Sequence, residues 1–284
     1  MTSPPGSSHR AGHPRGLLAR SLVASATTVL LALLALPFVA LLLRASPGQI
    51  LARIDDPVVL EALRLSFLAS GAATALVVVL GLPVAYLLAT RDFPGKRVVE
   101  VLIDLPMVLP PTVAGFALLM AFGRVGLAGG ALGALGISLP FTTAGVVFAQ
   151  VFMAVPFFVG PARAGFAAVD RRLLDAAATL RASESFTFFR VVLPLAAPSL
   201  LAGVAMSGAR ALGEFGATIT FAGNLPGSTQ TMPLAVYVAL QSDLDAAVVL
   251  SVLLLAMAFG LLLGLRSAPS GWFWNRANAP RNVR

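Results

Sequence analysis

The sequence predicts an all-α fold, a polytopic membrane helix bundle of about six transmembrane helices with both termini cytoplasmic. Three observations predict it. The chain of 284 residues is 58% apolar and only 11% charged, with a mean hydropathy of +0.90, whereas soluble domains carry about 25% charged residues. Six windows approach the roughly 20 apolar residues that a helix needs to cross a bilayer. Lys and Arg gather in alternate connections between those windows.

Residues 1–16, rich in Ser, Pro, Gly, His and Arg, read as a disordered tail. The windows then cover about residues 22–43, 66–89, 101–122, 143–160, 198–222 and 246–265. The first runs on through Leu41-Leu42-Leu43. A signal peptide has an apolar stretch of only about 7–15 residues, so this window reads as an uncleaved span. Within the third, Pro106, Pro110 and Pro111 remove backbone donors. Membranes tolerate such breaks where the backbone lines a cavity, and a packing kink is the other reading. The Gly-rich stretch from Gly126 to Gly136 reads as an outer turn or half-inserted segment. The longest inner connection, about 161–197, carries two short helical patterns separated at Ser183-Glu184-Ser185, the second ended by Pro194 and Pro198. Residues 269–284 read as a second tail.

Orientation follows from the cations. With the N-terminus inside, inner segments hold about fifteen Lys and Arg, among them Arg91, Lys96, Arg97, Arg163, Arg171, Arg172 and Arg181. Outer ones hold Arg44, Arg53, Arg64 and Arg124. This bias accounts for most of the formal net charge of +8. Nucleic acid is not an indicated partner, because no basic helix or aromatic stacking platform accompanies the charge.

Composition also excludes chemistries. There is no cysteine, hence no disulfide or thiolate metal site. The two histidines, His9 and His13, lie in the first tail, leaving the bundle no imidazole for catalysis or metal binding. The single lysine follows Gly95 but precedes Arg97, so the phosphate-cradling G-x-x-x-x-G-K-[ST] motif is missing. An ATP-driven role needs a partner to supply the nucleotide site.

In the inner connection, Asp175-Ala176-Ala177 precedes Val191 by sixteen residues and Leu193-Pro194 closes the run. This pattern resembles E-A-A-x₃-G-x₉-I-x-L-P, the signature of ATP-binding-cassette (ABC) importer permeases, with Arg181 in place of the glycine. Asp104-Leu105-Pro106-Met107-Val108-Leu109-Pro110-Pro111-Thr112-Val113-Ala114-Gly115 and Arg210-Ala211-Leu212-Gly213-Glu214-Phe215-Gly216-Ala217-Thr218 resemble the oxyanion importers for molybdate, tungstate and sulfate. The run from Gly223 to Tyr237 is similar to the molybdate branch. Together these motifs cover about residues 60–265.

The resemblance implies a type I ABC importer permease, with a transmembrane permease domain over about 17–268 and cytoplasmic tails on either side. It would sit as a multi-pass protein in the cell (inner) membrane of a bacterium or archaeon. The chain itself would be no enzyme and hold neither cofactor nor metal; partner ABC ATPase subunits would bring ATP and Mg. The other implied partners are an extracytoplasmic oxyanion-binding protein and a second permease copy. Asp175, Ala176, Ala177, Leu180, Arg181 and Ser183 would couple to the ATPase. Ala176 and Ala177 would sit in its groove, with Leu180 and the phenylalanines as anchors. The outer segment of about 223–245 has no Lys or Arg and holds Asp243 and Asp245, which suits docking of the binding protein.

Pro110, Thr112, Arg210 and Glu214 are the candidates for the translocation path or gate. Ionised groups near a bilayer centre are expensive, so Arg210 and Glu214 should face the interior. Four apart on one helical face, they suit mutual neutralisation. Arg210 then either serves a structural ion pair or touches the anion in passing. Thr112 either donates to an oxyanion or caps its own helix. Amides freed near the prolines, or a helix N-terminus, would suit an oxyanion. A sulfate or tungstate permease is the alternative within the family. An ATPase-independent secondary transporter is the alternative outside it, with only Asp104 and Glu214 available as intramembrane proton carriers.

Overall fold

The computed structural model describes residues 14–267, every regular element of which is helical. His9, His13 and the tail over 269–284 lie outside the described residues. Two compact units divide the chain, meeting between Pro47 and Gly48. The first contributes α1, Pro14–Arg44. Helix therefore begins inside the stretch expected as a tail, and it begins at a proline, whose missing N–H has no partner to lose in a first turn.

The short α2, Pro47–Arg53, starts at the boundary residue, and the second unit continues with the long α3, Pro57–Thr90, whose first turn is capped by Asp56 accepting from the Val58 N–H at 2.9 Å. A tight turn at Gly95 leads to α4, Lys96–Val108, then α5, Pro111–Phe122, and the small α6, Gly129–Ala134, in the Gly-rich stretch. Next come α7, Thr143–Ala167, α8, Arg171–Thr179, and α9, Glu184–Thr187. A π turn at Phe188–Val192 joins α9 to α10, Leu193–Leu212. The described residues end with α11, Gly216–Ala222, α12, Met232–Ser242, and α13, Leu244–Ser267.

Among the described residues, five continuous helical stretches are long and apolar enough to span: Arg20–Arg44, Pro57–Thr90, Thr143–Ala167, Glu184–Leu212 and Leu244–Gly264. The expected third span is instead two helices. Leu109 and Pro110 are extended between α4 and α5, because consecutive prolines at 110 and 111 withdraw two donors and push the preceding residue out of the helical region. Pro106, by contrast, stays buried inside α4.

The fifth window departs in the opposite sense. Pro194 and Pro198 do not stop the helix, which runs unbroken from Glu184 to Leu212. The Leu193 N–H reaches back to the Phe188 carbonyl, five residues away. That wider turn absorbs the strain just before Pro194, which then falls in the first turn of α10, where a missing donor is tolerated.

At the centre, α3, α7 and α10 pack through small side chains. Ala73, Val77 and Ala85 of α3 meet Ala154, Phe158 and Ala162 of α7 and Ala196 and Ala211 of α10, all buried. In a bilayer such contacts act through close van der Waals packing, which small residues permit. A second layer joins Val59 and Ala62 of α3 to Met232 and Ala235 of α12 and Leu250 of α13. The Met232 N–H donates to Ser66 Oγ at 2.7 Å, fixing the start of α12 against α3. Outward-facing Phe67, Leu68 and Leu80 of α3 are apolar and exposed, as a lipid-facing surface requires.

Candidate functional site

Two helix breaks lie side by side in the second unit. One is the Leu109-Pro110 break before α5. The other spans Gly213-Glu214-Phe215, between α10 and α11. A Cβ on Gly216 would stand 2.7 Å from Pro111 Cβ and 3.2 Å from the Thr112 nitrogen. One on Gly115 would stand 2.7 Å from the Ala217 carbonyl oxygen. Only glycine allows the two half-helices this approach.

Glu214 is 1% exposed, and both its oxygens are engaged. Oε2 meets Arg210 Nη1 at 2.6 Å, and Oε1 accepts from the Ala217 N–H at 2.7 Å. The spacing of four does bring Arg210 to Glu214, though not along one helical face. The helix ends at Leu212 with Gly213 as its cap, so Glu214 lies in the break and holds the next helix start as well as the arginine. The Arg210 guanidinium lies 6.0 Å from the Phe157 ring centroid. Thr112 is no cap: Pro110 precedes α5 without a side-chain cap, and the Thr112 hydroxyl makes no hydrogen bond among the described residues. Pro110 and Thr112 are both exposed in the single chain.

The inner loop forms the second constellation. Asp170 caps α8 by accepting from the Arg172 N–H at 2.9 Å, and Ser183 caps α9 by accepting from the Phe186 N–H at 3.2 Å. Between them the Ala182 N–H donates to the Ala177 carbonyl and the Arg181 N–H to that of Ala178, at 3.0 and 2.9 Å. These two bonds make a Schellman cap, which places its closing residue in the left-handed region. That residue is Arg181, with φ +55°. Asp175, Ala176 and Leu180 face outward, Leu180 being 81% exposed.

Ala177 is half-buried, so the two alanines are not presented equally to a partner. Nor do all the phenylalanines face outward. Phe186 and Phe189 do, but Phe188 turns back onto its own chain, edge-on to Tyr86 with centroids 4.9 Å apart, while Tyr86 meets Phe166 at 5.4 Å. This aromatic knot fixes the root of the loop to α3 and α7. Its members are scattered in the sequence, and no spacing rule points to them.

Residues 77–266 match the family model of the binding-protein-dependent transport system inner membrane component. The chain belongs to that family. It is 45% identical over 235 residues to the molybdenum transport system permease protein ModB of Mycobacterium tuberculosis, covering 81% of this chain and 88% of that one. It is 34% identical over 260 residues to the molybdate/tungstate transport system permease protein WtpB of Thermococcus kodakarensis, covering 91% and 97%. A bacterial ABC transporter that imports alginate shares its fold, with a TM-score of 0.72 at 12% identity over 89% of this chain and 94% of that one. Family and apolar helices together make this a multi-pass protein of the cell membrane.

Further ion pairs brace the permease. Arg163 Nη2 meets Glu100 Oε1 at 3.0 Å, tying α7 to α4 beside a cavity of about 380 Å³ that Asp104 also lines. Arg53 Nη2 meets Asp243 Oδ2 at 2.7 Å, and Asp243 also accepts from the Ala246 N–H at the start of α13. That backbone bond, followed by Arg53, holds the Asp243 carboxyl below its ordinary value. A hydrogen bond from Lys96, with its charge, does the same for Asp92.

Proposed function

We propose that this chain is the membrane-spanning subunit of an ATP-driven importer for molybdate or a related tetrahedral oxyanion such as tungstate. The observation that carries the reading is the 45% identity to a molybdenum transport permease across 88% of that protein. The substrate arrives on a separate binding protein, and two copies of the permease work with two ATPase subunits. The permease domain covers about 17–268, with its coupling loop at about 161–197.

In this reading ATPase closure pushes on α8 through Asp175, Ala176 and Leu180. Ser183 and Arg181 hold the loop in shape as caps. The stretch Glu184–Leu212 then carries the push about 43 Å to the helix breaks, at 1.5 Å per residue. Separation of α5 from α11 opens a path past Pro110 and Thr112, whose free hydroxyl donates to the passing anion. Arg210 supplies positive charge there, held in place by Glu214. Because both Glu214 oxygens are engaged, a proton-relay role is disfavoured, which supports the ATP-driven reading over a secondary transporter.

The test is purification of the tagged chain from its own membranes, followed by ATP turnover with binding protein loaded with molybdate or with sulfate. A co-purifying ATPase stimulated by the molybdate form is the expected result. Stimulation by sulfate alone would reassign the substrate. Anion flux with no ATPase would overturn the reading.

A further inference from the structure

Arg181 occupies a backbone position that suits glycine, and it gains nothing visible within its own chain. Its φ of +55° closes the cap of α8, yet its side chain is exposed and forms no ion pair or hydrogen bond among the described residues. Strain of this kind persists where a side chain is needed for something else. Proximity to the α8 C-terminus favours a cation, but Lys or Arg anywhere in the last turn would meet that preference without a left-handed backbone. The neighbouring Leu180 is one of the most exposed large apolar side chains in the chain, at 81%, and α8 buries only parts of Leu174 and Ala177.

We propose that Arg181 is a docking contact whose guanidinium pairs with a carboxylate of the partner ATPase, at the rim of the socket that takes Leu180. The inference rests on the coupling reading above and adds the chemistry of the partner surface. An apolar plug ringed by a fork-shaped cation fits a hydrophobic socket with an acidic edge, and arginine binds carboxylates through two parallel hydrogen bonds. The pairing gives this permease a means of selecting its own ATPase. A glycine at 181 would preserve the shape of the cap and leave that edge unread.

The test measures retention of the co-purified ATPase against salt concentration, in zwitterionic and in anionic lipid nanodiscs, for the wild type, R181K, R181G and R181E. R181G keeps the cap, so its thermal unfolding should match or exceed that of the wild type. Its affinity for the ATPase should fall about tenfold at low salt, with a flatter salt dependence. R181K should lose less than R181G, and R181E more. ATPase retention by R181G equal to wild type at every salt concentration would overturn the proposal. So would a loss confined to anionic nanodiscs, which would assign Arg181 to lipid headgroups. If the wild-type chain retains no ATPase, the coupling reading itself has failed, and that result is distinguishable from either outcome.

Discussion

Glu214 does two jobs with two oxygens: it neutralises Arg210 and holds the start of α11. Removing one partner of a buried pair strands the other charge, at about 3–5 kcal/mol, whereas replacing both by apolar groups is often neutral. Glu214→Ala should therefore lower the thermal unfolding temperature in detergent sharply, and Arg210→Met with Glu214→Leu should recover much of it. Molybdate uptake by the double variant separates the two roles open to Arg210. Loss of uptake in a folded protein assigns it to the anion path, and normal uptake leaves it structural. Asp243 makes a different prediction. Its carboxyl titrates below the ordinary value of 3.8, so its contribution is complete above that range and disappears as pH falls through the depressed value. Thermal stability measured against pH should show an acid-side loss that Asp243→Asn lacks. At this scale the Arg210–Glu214 pair was legible, since two charges four apart in an apolar window must find each other. The pairing of Arg53 with Asp243, 190 residues apart, was not, because no local spacing links them.

At the scale of elements, the opposing glycines of α5 and α11 set how closely the half-helices approach. A methyl at position 115 would meet the backbone of Ala217, which has no side-chain freedom to yield. Gly115→Ala should cost about 1–3 kcal/mol and lower the unfolding temperature accordingly; an unchanged transition would show that the half-helices separate readily. The prolines at 106, 110 and 111 left a break and a packing kink equally open within one expected span, and the structure has the break, before α5. Its companion was not legible, because Gly213-Glu214-Phe215 sits inside an apolar window with no proline to mark it. The prolines at 194 and 198 mislead in the other direction. Sequence shows the missing donors, but not the π turn just ahead of Pro194.

For the whole molecule, the arginine bias assigns a side to every connection, and the absence of cysteine makes that assignment simple to measure. Ala176→Cys should react with an impermeant maleimide only in inside-out vesicles, and Ser242→Cys in intact cells. The reverse pattern would invert the topology. Helical class and the apolar segments were legible because a bilayer admits few solutions. The division into five long spans and paired half-helices depended on backbone geometry that hydropathy averages away.

The π turn at Phe188–Val192 also makes chain length a coordinate of its own. Successive residues of a helix are about 100° apart, and a π turn holds one residue more than an α turn. Deleting a single residue between Phe188 and Val192 would turn the wide turn into an ordinary α turn and leave everything downstream facing nearly as before, whereas the same deletion later in α10 would rotate the helix beyond it by about 100° relative to the loop. With the later deletion Arg210 would swing away from its break while the aromatic knot stayed where it was. The alignment between the loop and the break is thus encoded in a residue count, and the π turn is a place on this stretch where a residue can be lost without changing it.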